Sequence, residues 1–323
     1  MIHTARLFVQ LSDEEVVGVK RRFKEDIALV HEIIDGQFEE VFDTDITNKF
    51  GTWYLFTTID VVQLLRRGIV LENDLSTIQK ALDAYLYFVL GENDKEFTLC
   101  RIDYRFDAVI ADAAERQVVL DLLKKSIDRF GYKVKRNIYG TTLYYNSKSI
   151  VICVYDKEAE RQDKCKVIKK YEKDVLRVEV RLLNRHLNYM KRHYRLDKKM
   201  GNYFNHDFWI KYMANNIMPI FHSGNFYTKA EAFKIIKRSG LKEQEKTKVR
   251  KFLTDVMKLG FDGIKSLKRK KPGCKLKPAY SSYVIKENIK RLEALGINPL
   301  LVEKNDEVIL SRDMCIRNPF YFG

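Results

Sequence analysis

Apolar and polar positions along the chain alternate with two different periods, and each period marks an element. Residues 2–11 (IHTARLFVQL) read as a strand. Ser12 and Glu15 then form a capping box, and Val16, Phe23, Ile27 and Val30 recur at helical spacing, which predicts one amphipathic helix to about Ile34, ended by Asp35-Gly36. Residues 37–60 are strand-rich, most clearly over Thr52–Thr58, and two helices are expected near 60–68 and 74–90, closed by a turn over Gly91–Lys95. A second strand-helix-strand run starts at Phe97. Its first strand puts Arg101, Asp103, Arg105 and Asp107 on one face and Ile102, Tyr104 and Phe106 on the other. A helix over Asp112–Gly131 and a hairpin over Tyr132–Asn146 follow, so the order of elements from residue 2 is repeated from residue 98.

Two further strands carry charge against an apolar backing. Val151 to Val154 is a buried strand that delivers Tyr155 and runs into Lys157, Glu158, Glu160 and Arg161. Leu176–Leu183 alternates, with Arg177, Glu179 and Arg181 on one face. Beyond Asn202 the pattern turns helical. Helices are expected over Phe208–Met218, from a Thr228 capping box to Gly240, over Lys242–Leu259 up to Gly260, and over Ser282–Leu295, with a short apolar strand near Val308. The pair around Gly240 resembles a helix-turn-helix. The stretch Lys265–Lys277, with seven Lys/Arg and no acid, reads as a loop or wing for phosphates, as against an ordinary solvated basic loop. The chain is therefore expected to be α+β: a mostly antiparallel catalytic domain over residues 1–200, then a helical, basic domain over 201–323.

Composition sharpens this. The 323 residues carry a net charge of +15, and residues 1–100 hold 10 Lys/Arg against 18 Asp/Glu, so the positive charge lies in the rest of the chain. That distribution suits a nucleic-acid binder. Five scattered cysteines without a C-x-x-C argue against a disulfide framework or a zinc site, and no apolar run suggests a membrane span. A cytoplasmic, reduced protein is expected. The three acid-bearing strands supply oxygen donors, which hard cations such as Mg²⁺ or Mn²⁺ take in phosphoryl transfer. Asp103 and Asp107 lie about 13 Å apart along one strand at ~3.3 Å per residue, too far to share an ion directly.

R101-I-D-Y-R-F-D107, Thr142-Leu-Tyr-Tyr145 with Ser147 and Ser149, Y155-D-K-E-A-E-R161 and R177-V-E-V-R-L182 occur in an order that resembles the Rep_trans replication initiators of rolling-circle plasmids and, equally, the gene II/X-type phage and plasmid replication proteins. The resemblance covers roughly residues 98–185. It implies a site-specific endonuclease and religase that nicks one strand at an origin through a 5′-phosphotyrosine. By position Tyr155 would be the nucleophile, with Lys157 and Arg177 beside it, and Asp103, Glu160 and Glu179 would be the metal acids, Glu158 standing as the alternative to Glu160. Arg161 and Arg181, with Lys265, Lys268, Arg269, Lys270 and Lys271, would contact DNA. The implied partners are double-stranded origin DNA, the displaced single strand, a host helicase and polymerase, and a second copy of the chain. A relaxase of a mobile element would share this chemistry, and a non-catalytic DNA-binding regulator would share the basic surface. Tyr145-Asn-Ser-Lys-Ser149 departs from the G-x-R-x-S pattern of many Rep_trans members. The six histidines form no His-hydrophobic-His motif.

Overall fold

A computed structural model of the chain describes residues 1–38, 41–91, 94–269, 276–303 and 314–320. It is α+β, as the pattern requires. The elements follow in order as β1 (Ile2–Leu11), α1 (Asp13–Phe23), α2 (Ile27–Gln37), β2 (Phe42–Lys49), β3 (Thr52–Asp60), α3 (Val61–Leu65), α4 (Leu75–Leu90) and β4 (Thr98–Val109). The second run comprises α5 (Ala113–Lys124), β5 (Arg129–Phe130), β6 (Lys133–Tyr139), β7 (Thr142–Asn146), β8 (Ile150–Asp156), α6 (Lys157–Asp163) and β9 (Val175–Leu183). After these come α7 (Asn184–Tyr194), α8 (Met200–Tyr203), α9 (His206–Phe221), β10 (Phe226–Tyr227), α10 (Lys229–Arg238), α11 (Glu243–Ser266), β11 (Lys268–Arg269), β12 (Lys277–Pro278), α12 (Ser282–Ala294) and β13 (Cys315–Ile316).

Among the described residues β1 to β9 form one large sheet in the order β2-β3-β1-β4-β9-β8-β7-β6-β5. The chain divides into two compact units, each discontinuous in sequence. The first comprises residues 1–106, 147–152 and 179–213; the second comprises 107–146, 153–178 and 214–323.

In the first unit, β1 pairs antiparallel with β3 and β4. Ala5, Leu7, Val9 and Leu11 alternate into the core, as a strand with one buried face must. Val16 and Val19 of α1, Val30 and Ile34 of α2, and Ile78, Leu82, Tyr85 and Leu86 of α4 are buried with them. Tyr85 stacks on Phe42 and its hydroxyl meets Thr44 Oγ1 at 2.9 Å. The helix expected over 12–34 is two helices. Lys24 takes a left-handed conformation (φ 54°) and its N–H bonds to the Lys20 carbonyl, which ends α1 behind three basic residues that suit a helix C-terminus. Asp35-Gly36 does not stop α2. The Asp35 carboxylate accepts the Thr44 backbone N–H at 3.0 Å instead, and the helix continues to Gln37.

In the second unit, the helix expected over 112–131 ends at Lys124, where the Lys125 N–H turns back to the carbonyls of Asp121, Leu122 and Leu123 and the hairpin β6–β7 takes the carbonyls that follow. Lys135 Nζ donates to the carbonyls of Lys124 (2.9 Å) and Ser126 (2.8 Å), and the Tyr145 hydroxyl donates to that of Ile127 (2.5 Å). Gly131, expected to stop a helix, serves the turn between β5 and β6 with φ +57°. The core continues through Ile236, Val249, Phe252, Leu253, Phe261 and Leu292 of α10 to α12. Thr228 caps α10 through the Glu231 N–H. In α11 the helical geometry breaks at Gly260 (φ 68°), where the expected stop stands, and the chain then resumes its helical course to Ser266. β11 and β12 pair antiparallel on either side of the basic stretch, Lys268 opposite Pro278 and Arg269 opposite Lys277. Lys270 and Lys271, the expected strand near Val308 and part of the turn after Gly91 lie outside the described residues. No helix among the described residues is long and apolar enough to cross a membrane.

Candidate active site

The charged strand face expected around Asp103 is present in the first unit, but it is a buried row of paired charges. Asp103 and Glu179 are each only 1% exposed. Arg101 lies two residues from Asp103 on β4, hence on the same face, and its Nε donates to Asp103 Oδ1 at 2.8 Å. On β9 the same spacing joins Arg181 to Glu179, with Nε 3.0 Å and a terminal nitrogen 2.6 Å from Oε2. Arg181 also stands 3.8 Å from Asp103. Thr4 Oγ1 donates to Asp103 Oδ2 at 2.6 Å. His3 Nδ1 is 2.9 Å from Glu179 Oε1, and its Nε2 is 3.7 Å from Asp60 Oδ2. Asp60 is itself fixed, since its Oδ1 caps α3 by accepting the N–H groups of Val62 and Gln63. Acid and base thus alternate along Asp60, His3, Glu179, Arg181, Asp103 and Arg101.

The sequence pattern does not single out His3, for a geometric reason. Successive residues of a regular strand point to opposite faces, so His3 and Thr4 should not reach one cluster. Ile2 pairs with Tyr104 and Ala5 with Ile102, so β1 spends one residue more than β4 across this step. That bulge lets both side chains serve the row, and such a long-range register shift leaves no mark in a local pattern.

The remaining candidates lie in the second unit. Tyr155 is the last residue but one of β8 and is 6% exposed. Asp156 follows as the N-cap of α6: its Oδ1 accepts the N–H groups of Glu158 (2.9 Å) and Ala159 (3.1 Å), and its Oδ2 accepts Arg116 Nε at 2.7 Å. Buried Arg116 also holds Glu158 at 2.8 Å and Asp174 at 3.3 Å. Glu158 is thereby part of a structural hub. Lys157 is buried and its Nζ lies 5.9 Å from the centre of the Tyr155 ring. Burial, and then the charge of Arg177, push its pKa below the usual lysine value against the pull of Glu160. Glu160 accepts Lys157 Nζ at 2.7 Å and also bonds Lys164. Burial raises its pKa, but these two lysines outweigh it and hold the group at about 2. Arg161 and Glu172 form a buried pair, with Nε 2.9 Å from both carboxylate oxygens. Arg177, 1% exposed, meets Asp107 in a bidentate pair at 2.7 and 3.0 Å. Tyr145 is sealed in the core, and burial drives its pKa up.

In the basic stretch, Lys265 is exposed and pairs with Asp262 at 2.8 Å. Lys268 is exposed, while Arg269 meets Asp255 at 2.5 Å and stacks over Tyr280. On α7, His186 Nε2 meets the Tyr212 hydroxyl at 2.7 Å and His193 packs on Tyr189 at 4.3 Å.

The carboxylates of Asp103 and Glu179 suit a hard divalent ion in donor type. Among the described residues no group of three or more His, Cys, Asp or Glu side chains stands as a ready cage, and arginines cover the two acids. Glu160 is held by lysines in the other unit.

No curated protein matches the chain. Of the two families that the motifs resemble, the Rep_trans plasmid initiators are not the one a family model picks out. The model that matches is Phage_CRI, which describes the N-terminal part of a phage replication-associated protein. The match runs from residue 73 to residue 203, less than half the chain but enclosing every motif from Arg101 to Leu182. Over that stretch the chain is similar to the N-terminal part of the Phage_CRI replication-associated proteins.

Proposed function

We propose that this protein is a rolling-circle replication initiator: a metal-dependent endonuclease and religase that cuts one DNA strand at an origin through Tyr155. The observation that carries this reading is the Phage_CRI match over residues 73–203, which contains Asp103, Tyr155, Lys157, Glu160, Arg177 and Glu179 together. In the reaction the Tyr155 oxygen attacks the scissile phosphorus and the bond to the 3′ oxygen breaks. The phenol gives up its proton and the 3′ oxygen gains one, which leaves a 5′-phosphotyrosine and a 3′-OH. Attack by the 3′-OH reverses the step without an external energy source.

Lys157, with its Nζ 5.9 Å from the Tyr155 ring centre and its pKa lowered chiefly by burial, would stand beside the phenol that gives up its proton. Arg177, fixed by Asp107, would offer a rigid guanidinium to the charge that develops on the phosphate. Asp103 and Glu179 would hold a Mg²⁺ or Mn²⁺ ion, which when bound polarises the phosphate. Glu160, clamped by Lys157 and Lys164, serves in this reading by setting the charge of Lys157. Residues 1–200 would carry the chemistry. The basic 201–323 region would bind duplex DNA through Lys265, Lys268 and Arg269, and a helicase, a polymerase and a second copy would join at the origin.

The test is cleavage of a supercoiled plasmid bearing the DNA that flanks the protein's own gene, with Mg²⁺, with Mn²⁺ and with chelator. Wild type is expected to give nicked circles with protein on the 5′ end. Tyr155→Phe and chelator should each reduce nicking by at least about 10³-fold. Nicking that survives Tyr155→Phe overturns the assignment of the nucleophile. Salt-sensitive binding without nicking by wild type overturns the enzyme reading in favour of a regulator.

A further inference from the structure

The first unit carries a second surface, whose aromatic residues all lie before residue 73 and so outside the stretch that the family model matches. We propose that the solvent side of β1, β2 and β3 is a platform for single-stranded DNA. Bases stack there on Phe8, Tyr54 and Phe56, and on Phe50 at the hairpin tip, while Arg6, Lys49 and Lys198 take the phosphates. The proposal rests on the replication reading above and gives its displaced strand a site.

Alternation leaves this face to solvent. Along β1, Ala5, Leu7 and Val9 are buried and Arg6 and Phe8 between them are half-buried; along β3, Leu55, Thr57 and Ile59 are buried and Tyr54, Phe56 and Thr58 are half-buried. Phe8 stands opposite Phe56, and Tyr54 is two residues from Phe56 on the same face. The three ring centres are therefore 5.6, 5.8 and 5.9 Å apart. Cross-strand aromatic pairs stabilise a sheet, but these also keep part of their faces in water, and every base has a π-face that can stack on them. In a duplex those faces are already stacked on one another, so such a surface selects a single strand. Cations accompany the rings. Lys49 Nζ lies 4.4 Å and the Arg6 guanidinium 5.1 Å from the centre of Phe56, and Lys198 Nζ lies 5.6 Å from that of Phe8. This gathering runs against the acidic balance of residues 1–100. Arg6 also meets Asp45 at 3.5 Å, with 39% and 52% of the two side chains exposed, and a phosphate can replace so exposed a partner at little cost.

The hairpin tip adds an independent observation. Lys49 stands opposite Thr52, so β2 and β3 are joined by the two-residue loop Phe50-Gly51, in which both residues are left-handed (φ 53° and 81°). A loop of this kind favours Asn-Gly, because a left-handed backbone strains a bulky side chain. The chain places a phenylalanine there that is fully exposed and so gains no packing from the fold. A ring held out in water at the end of the hairpin that carries Tyr54 and Phe56 extends the stacking surface. At its other end the platform adjoins the buried row, since Thr4, Arg6 and Phe8 share one face of β1 and Thr4 bonds Asp103.

The experiment is fluorescence anisotropy of the full chain with a labelled single strand of about 12 nucleotides, with an abasic strand of the same length and with a duplex. Wild type is expected to bind the base-bearing strand about tenfold or more tighter than the abasic one. Phe50→Asn suits the turn better than the native residue and so keeps the fold; it should weaken binding of the base-bearing strand about tenfold and leave the abasic strand and the duplex unchanged. Phe56→Leu should do the same. Lys49→Gln should weaken both single strands alike and reduce the slope of log affinity against log salt by about 0.7. Equal affinity of wild type for the two strands overturns the platform, as does wild-type binding by Phe50→Asn and Phe56→Leu. Equal losses with the duplex overturn it in favour of a duplex site, and a dimer that Phe50→Asn dissociates with DNA affinity unchanged overturns it in favour of a second copy. Plasmid nicking through Tyr155 is scored separately: nicking that stands while these losses are missing removes the platform alone, and the losses seen in a protein that does not nick keep the platform and remove the enzyme reading.

Discussion

His222 shows how much one side chain can be made to depend on its surroundings. It sits in a left-handed conformation (φ 56°) at the end of α9 and stacks on Phe261 at 4.8 Å; its Nε2 is buried with no hydrogen-bond partner among the described residues. Burial lowers its pKa to about 4 from an ordinary 6.5. The folded protein therefore holds the neutral ring where the unfolded chain would already bind a proton. Stability that is complete above pH 6.5 is lost as pH falls through 4, by about 3 kcal/mol in all. His222→Asn, which tolerates the same backbone, should flatten the urea midpoint between pH 6.5 and 4 relative to wild type. At the same scale, the strand alternation that singles out Asp103 and Glu179 is informative, since both are buried on the expected face. It says nothing of what covers them. Arg101 and Arg181 follow from the two-residue spacing, whereas His3 is brought in by a register shift between β1 and β4 that local sequence does not encode.

At the scale of elements, the strands are more legible than the helix ends. Strand boundaries follow alternation that the core enforces residue by residue, and β1, β3, β4, β8 and β9 stand where the pattern puts them. Helix ends depend on what satisfies the last carbonyls, and here that is decided by distant side chains. α5 stops early where Lys135 from the hairpin takes the carbonyl of its last residue, Lys124, and Tyr145 takes that of Ile127 just beyond. The order Lys20-Arg21-Arg22 before Glu25-Asp26 is a local signal for the break between α1 and α2, masked by continuous apolar spacing across it. The two tyrosines of the motif region separate cleanly at this scale. Tyr145→Phe should leave the Ile127 carbonyl without its buried donor and cost about 1–3 kcal/mol in denaturant unfolding. Nicking by that variant should remain near wild type under conditions where it is folded, in contrast to Tyr155→Phe.

Over the whole molecule, charge is distributed as unevenly as structure. Residues 1–100 carry more acid than base, so the +15 of the chain resides beyond residue 100. DNA binding driven by that surface should fall steeply with salt, by about 10³-fold or more between roughly 50 and 200 mM if six or more phosphates are neutralised. Filter binding or anisotropy with a non-specific duplex measures this, and a flat salt response would remove the basic region from the interface. The paired row of the first unit has the opposite character, because its charges face one another and not a partner. Removing any one of Asp60, Glu179, Asp103, Arg181 or Arg101 takes away part of a neighbour's charge compensation, and for Glu179 and Asp103 that imbalance is buried. Such a row is a ratchet for sequence drift: it can change by compensated pairs, while single steps are blocked in both directions. Related chains that differ here are therefore expected to differ at two of these positions at once.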